Sequence, residues 1–114
     1  MKNSKIELSE HQIQNQIIDY LRTIGFFVWR NNSGRIFTES KGKKRMIVMG
    51  QAGLPDLFAI KKGKFIGLEV KRPGGKVTDL QFRMLKELQD HGASTAVVRS
   101  VEQLEAFCRI VLKQ

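Results

Sequence analysis

A chain of 114 residues, 41% hydrophobic and 27% charged, suffices for one ordinary domain with one core, and no apolar run nears the roughly 20 residues that span a bilayer. Its single cysteine excludes an intrachain disulfide and zinc sites built on cysteine pairs. A net charge of +9 favours a polyanionic partner, and without a long amphipathic basic helix nucleic acid is preferred to anionic lipid.

With no repeat, low-complexity segment or proline-rich linker, residues 1–114 read as one domain. Met1 to Glu10 lacks the apolar stretch of a signal peptide, so a cytoplasmic protein with no membrane contact is expected. Ser9-x-x-Gln12 is a capping box ahead of Ile13, Ile17, Leu21 and Ile24 at helical spacing, which predicts a helix over 10–24 ended by Gly25. Phe26 to Arg30 is aromatic and β-branched, as in a buried strand, and Asn31 to Gly34 is a turn signal. Trp29 is accordingly assigned to the core, in preference to a stacking role shared with Phe37. Two short strand-like pieces flanking Ser40 to Lys44 predict a basic, mobile hairpin. Asp56 to Ile60 and Lys64 to Lys71 form a stronger hairpin about Lys62-Gly63. Thr78-x-x-Gln81 opens a second helix that Gly92 ends, Ser94 to Arg99 is the last strand, and Ser100 caps a helix with Leu104, Phe107, Cys108 and Val111 on one face. The order is α, β, hairpin insertion, β, β, α, β, α.

Counting outward from the Lys62-Gly63 turn, Lys61 opposes Lys64, Ile60 opposes Phe65 and Asp56 opposes Glu69. Like charges opposed across strands repel, and a hard divalent cation is the economical compensation. Lys71 lies two residues past Glu69 on the same face, while Val70 between them offers its backbone carbonyl as a further ligand. Aspartate, glutamate and lysine on one face suit phosphodiester hydrolysis: a cation polarises the phosphate and activates water, and an ammonium orients the nucleophile or offsets developing charge. Leu57 to Ile60 and Phe65 to Leu68 are too apolar for a solvated edge, which favours a site over three independent surface charges.

Gly53-Leu54-Pro55-Asp56-Leu57, then Glu69-Val70-Lys71, then Thr78-x-x-Gln81, resemble the signature of the VRR-NUC family within the PD-(D/E)XK nuclease superfamily. The resemblance runs from the Glu10 helix through the last strand. It implies a restriction-endonuclease-like α/β fold with an αβββαβ core, a mixed sheet flanked by helices, a basic hairpin insertion and a C-terminal helix. It also implies a Mg²⁺- or Mn²⁺-dependent endonuclease with Asp56, Glu69 and Lys71 as its catalytic centre. Glu10 carries two readings, a first-turn acid favoured by the helix dipole or a metal-site residue of the resembling family. Gln81 is the third residue of its capping box and also faces the apolar stripe, where it would support the site. His11 and His91 stand apart with no second ligand at metal-binding spacing and receive no role.

Arg35, Lys41, Lys43, Lys44 and Arg45 in the insertion, with Arg72 and Lys76 after the catalytic strand, flank the site and suit phosphate gripping without base reading. Small stand-alone members of the resembling family look like resolvases of branched DNA such as four-way (Holliday) junctions. One active site per domain then predicts a twofold homodimer for paired cuts. The competing readings are a non-catalytic nucleic-acid-binding module and an RNA-processing nuclease.

Overall fold

The computed structural model describes residues 7–31, 35–48 and 51–113, without the side chains of 35–38 and 46–48. Residues 32–34 of the expected turn, and the Arg35 and Phe37 side chains, therefore lie outside the described residues. The elements are α1 (Glu10–Thr23), β1 (Phe27–Arg30), β2 (Arg35–Ser40), β3 (Lys43–Val48), β4 (Leu57–Lys61), β5 (Lys64–Val70), α2 (Asp79–Asp90), β6 (Ser94–Val98) and α3 (Val101–Leu112). This is the order read from the sequence.

Local signals set the helix ends. Ser9 Oγ accepts the Gln12 amide at 3.1 Å while Gln12 Oε1 accepts the Ser9 amide at 2.9 Å, which satisfies two backbone donors that the helix leaves open. Thr78 and Gln81 repeat the arrangement at α2, at 3.1 and 2.9 Å. Each box contributes about 1 kcal/mol.

The main sheet has the order β1-β4-β5-β6, antiparallel except for β5 and β6, whose parallel pairing is bridged by α2. α1 and α3 cover one face, packing Ile13, Ile17, Leu21, Leu104, Cys108 and Val111 on Leu57, Ala59, Ile66, Leu68 and Val70. Cys108 is core, as its apolar stripe predicts, and burial pushes its thiol pKa up. α2 lies on the opposite face over β5 and β6, where the Thr95 hydroxyl donates to the Leu85 carbonyl at 3.2 Å. The fold is α/β with a restriction-endonuclease-like core.

One expectation fails on β1. The strand is an edge, with Val28 buried but Phe27 68% and Trp29 37% exposed, so Trp29 is not a core residue. The sequence run is apolar at every position from Phe26 to Trp29, whereas only one face of an edge strand meets the helices, and alternation sends Phe27 and Trp29 to the other face. β2 and β3 pair with each other and with no strand of the main sheet.

Candidate active site

The β4-β5 register runs from Lys61↔Lys64 through Ile60↔Phe65 to Leu57↔Leu68, and one further step brings Asp56 opposite Glu69. Two contacts fix the segment before β4. Gly53 has φ of +84°, and a Cβ there would come 2.6 Å from Leu80 Cγ and 3.0 Å from Met84 Cγ on α2, so only glycine lets this loop lie against the helix. Buried Pro55 follows it, and the Asn31 amide donates to the Asp56 carbonyl at 2.9 Å. Asp56 Oδ2 then accepts the Val70 backbone amide at 2.9 Å across the hairpin. Asp56 is thus seated at the mouth of β4 by its side chain and its main chain.

Glu69 is only 2% exposed. Its Oε1 accepts a hydrogen bond from Gln81 Nε2 at 3.1 Å and lies 3.7 Å from Lys71 Nζ, whereas Oε2 is buried with no hydrogen-bond partner. Burial, followed by the neighbouring Asp56 carboxyl, pushes the Glu69 pKa up to about 8 against the pull of the Lys71 ammonium, with Glu10 adding a smaller upward push. Lys71 has a side chain 13% exposed and lies beside Glu69 on the face that strand alternation predicts.

The two amide ends of Gln81 make different contacts. The Oε1 end closes the capping box on the Thr78 amide and the Nε2 end donates to Glu69, so one side chain joins the helix cap to the carboxylate. Glu10, the first residue of α1, places Oε2 3.5 Å from the Arg72 amide, and is half-buried beside the loop that follows β5. Among the described residues no three His, Cys, Asp or Glu side chains form a group suited to a metal ion. Mg²⁺ commonly takes one or two carboxylates with waters and substrate phosphate, and does not require a third. The observed tie from Val70 to Asp56 runs through the Val70 N–H, on the other side of the residue from the carbonyl expected to serve as a ligand.

Lys41, Lys43, Lys44 and Arg45 are exposed on the β2-β3 hairpin, and Arg72 and Lys76 are exposed on the loop after β5. His11 is exposed, and His91 caps α2 with Nδ1 2.8 Å from the Glu87 carbonyl, so neither meets the carboxylates. Arg99 carries no motif in the sequence. It donates through Nη1 to the carbonyls of Arg72 and Gly75, both at 2.8 Å, and so holds the loop that carries Arg72 beside Lys71. Its signal is the β5-β6 register, Val70↔Val98, which brings Arg99 level with Lys71 once the two strands are known to be neighbours.

An aspartate at the mouth of one strand, a Glu-x-Lys on its antiparallel neighbour and an αβββαβ frame define the class of PD-(D/E)XK nucleases. The VRR-NUC domain model matches residues 8–102, most of the chain, and the chain belongs to that family. The family makes it a nuclease of the PD-(D/E)XK type and implies DNA as substrate. No curated protein matches the chain.

Proposed function

We propose that the protein is a Mg²⁺- or Mn²⁺-dependent endonuclease that cuts branched DNA, such as four-way junctions, as a twofold homodimer. The observation that carries the metal-dependent reading is Glu69 Oε2, a carboxylate oxygen buried without a hydrogen bond, beside a second carboxylate. A lone buried carboxylate is costly, and two side by side are costlier. The donor set fits a hard divalent cation: Asp56 and Glu69 would hold it, with the Val70 carbonyl as a further oxygen and Glu10 adding negative charge from the end of α1. When bound, the cation polarises the scissile phosphate and makes water a better nucleophile.

The contacts of the remaining residues support a part for each. Gln81 fixes one oxygen of Glu69 and leaves the other for the cation. Lys71, drawn to Glu69, holds its ammonium where it can orient the attacking water and offset charge growing on the phosphate. Arg72 and Lys76 flank this centre on their loop, and the hairpin cations extend the grip on phosphates to a second region, which positions DNA without reading bases. Two cuts, one in each of two strands, call for two such centres and therefore for two copies.

The test incubates the protein with linear, flapped, bubble and four-way-junction DNA in Mg²⁺, Mn²⁺ or EDTA, beside Glu69→Ala and Lys71→Ala. Junction cleavage that needs the cation and both side chains is expected. Cleavage in EDTA, or cleavage insensitive to the variants, rejects the mechanism. Binding without cleavage rejects the nuclease in favour of a binding module.

A further inference from the structure

The sheet face that bears Asp56 and Glu69 also bears a cluster of rings whose outer members are exposed. Alternation along β1, β4 and β5 puts Phe27, Trp29, Phe58, Ile60 and Phe65 on that face. α2 packs over β5 and β6, and Phe58 is buried, but Phe27, Trp29 and Ile60 remain 68%, 37% and 37% exposed. The rings form one group: the Trp29 centroid lies 5.6 Å from Phe27, 5.8 Å from Phe58 and 6.0 Å from Phe65.

The cations of these strands turn the other way. Arg30 donates to Asn15 on α1, Lys61 Nζ donates to the Ile24 carbonyl, and Lys64 Nζ donates to the Val111 carbonyl on α3 at 2.7 Å. A surface built to stack nucleic-acid bases sets cations among its rings to hold the phosphates. Here the basic residues of the same strands are committed to the helix side, and the ring face is left apolar in a chain of net charge +9. Such a face is where a second, equally basic copy meets the least repulsion.

We propose that this aromatic face is the surface on which a second copy of the chain docks about a twofold axis. The inference rests on the reading of the protein as an enzyme that cuts two strands, and supplies the second active site that reading requires. A twofold contact is self-complementary, so one apolar patch serves both partners. At their exposures Phe27 and Trp29 leave roughly 200 Å² of apolar surface in water, suited to the core of an interface of about 800 Å² per partner. The docking face is continuous with the catalytic one, since Glu69 lies about 13 Å along β5 from Phe65.

Sedimentation equilibrium without DNA or divalent cation tests the proposal. The expected result is a mass approaching twice 13.0 kDa as concentration rises, with association weakened at least about tenfold by Phe27→Glu and by Trp29→Lys. Trp29 is the only tryptophan, so its emission should shift to shorter wavelength with concentration in the wild type and stay fixed in Phe27→Glu. Thermal melting of Phe27→Glu, compared at a concentration where the wild type is monomeric, checks that this variant still folds. A monomer at every concentration, or a dimer that ignores both substitutions, overturns the proposal. So does quenching of Trp29 by a single-stranded oligonucleotide without self-association, which would make the face a stacking platform. The two readings fail separately: a monomer that cleaves junctions removes the docking face and the homodimer but leaves the metal-dependent nuclease, and a dimer that cleaves nothing removes the nuclease but leaves the docking face.

Discussion

The turns Lys41-Gly42 and Lys62-Gly63 take nearly the same backbone, with φ of 52° and 75° in the first and 48° and 82° in the second. Both close two-residue hairpins of the kind that positive φ at both central positions permits. Their fates differ. β4 and β5 lie inside a four-stranded sheet and alternate residues that meet α1 and α3 with residues that meet α2, the site or the ring cluster, so their register is fixed by the burial of the helix-facing set. β2 and β3 pair only with each other, and Lys41, Lys43, Lys44 and Arg45 are exposed. Turn chemistry therefore specifies that a hairpin forms, and the apolar content of its strands decides whether it joins the core and can hold a repelling charge pair. Only the buried hairpin can carry Glu69, because only there is a carboxylate kept from water.

Glu69→Gln removes what sets the buried hairpin apart from the exposed one. It keeps the shape of the side chain but removes the charge, and DNA cleavage is expected to fall by about 10³-fold, measured as single-turnover cleavage in Mg²⁺. The same buried carboxyl makes stability depend on pH. In the unfolded chain Glu69 titrates near 4.5 and in the metal-free fold near 8, so between these values the native state holds more protons than the unfolded one. Folding stability is then fully present below the lower value and falls as pH rises through the upper one, by an amount on the order of a few kcal/mol. Melting of metal-free protein between about pH 5 and 9 should show this decline, which Glu69→Gln should flatten.

Gly53→Ala asks whether the G-L-P turn is what seats Asp56. Its Cβ would strike Leu80 and strain a positive φ, so a loss of about 2 kcal/mol in urea unfolding is expected, together with weaker cleavage. Gln81→Glu separates the two functions of one side chain. A glutamate can still close the capping box on Thr78 but, when ionised, cannot donate to Glu69, so helix stability should change by less than about 1 kcal/mol while cleavage drops. The exposed hairpin should be the least sensitive in stability. Replacing Lys41, Lys43, Lys44 and Arg45 with alanine should alter unfolding by no more than about 0.5 kcal/mol per site, yet lower the salt dependence of DNA binding by about 0.9 in log-log slope for each phosphate no longer gripped. An unchanged slope would remove the hairpin from the DNA-binding surface.

The order of elements, the helix caps, the β4-β5 register and the placing of Asp56, Glu69 and Lys71 on one face are legible along the chain. These follow from interactions between near neighbours in the chain: a capping box joins residues three apart, and a two-residue turn fixes the pairing of both its strands. Other features depend on how distant segments pack. Which strand forms the sheet edge depends on the whole strand order, and that order, more than the apolar run of Phe26 to Trp29, left Trp29 exposed. Arg99 reaches the 72–75 loop only because β6 lies parallel to β5, a pairing that no local pattern specifies. The Gln81 bond to Glu69 likewise needs α2 laid across the sheet. Local chemistry can be read along the chain, whereas contacts between distant segments exist only once burial has chosen which faces meet.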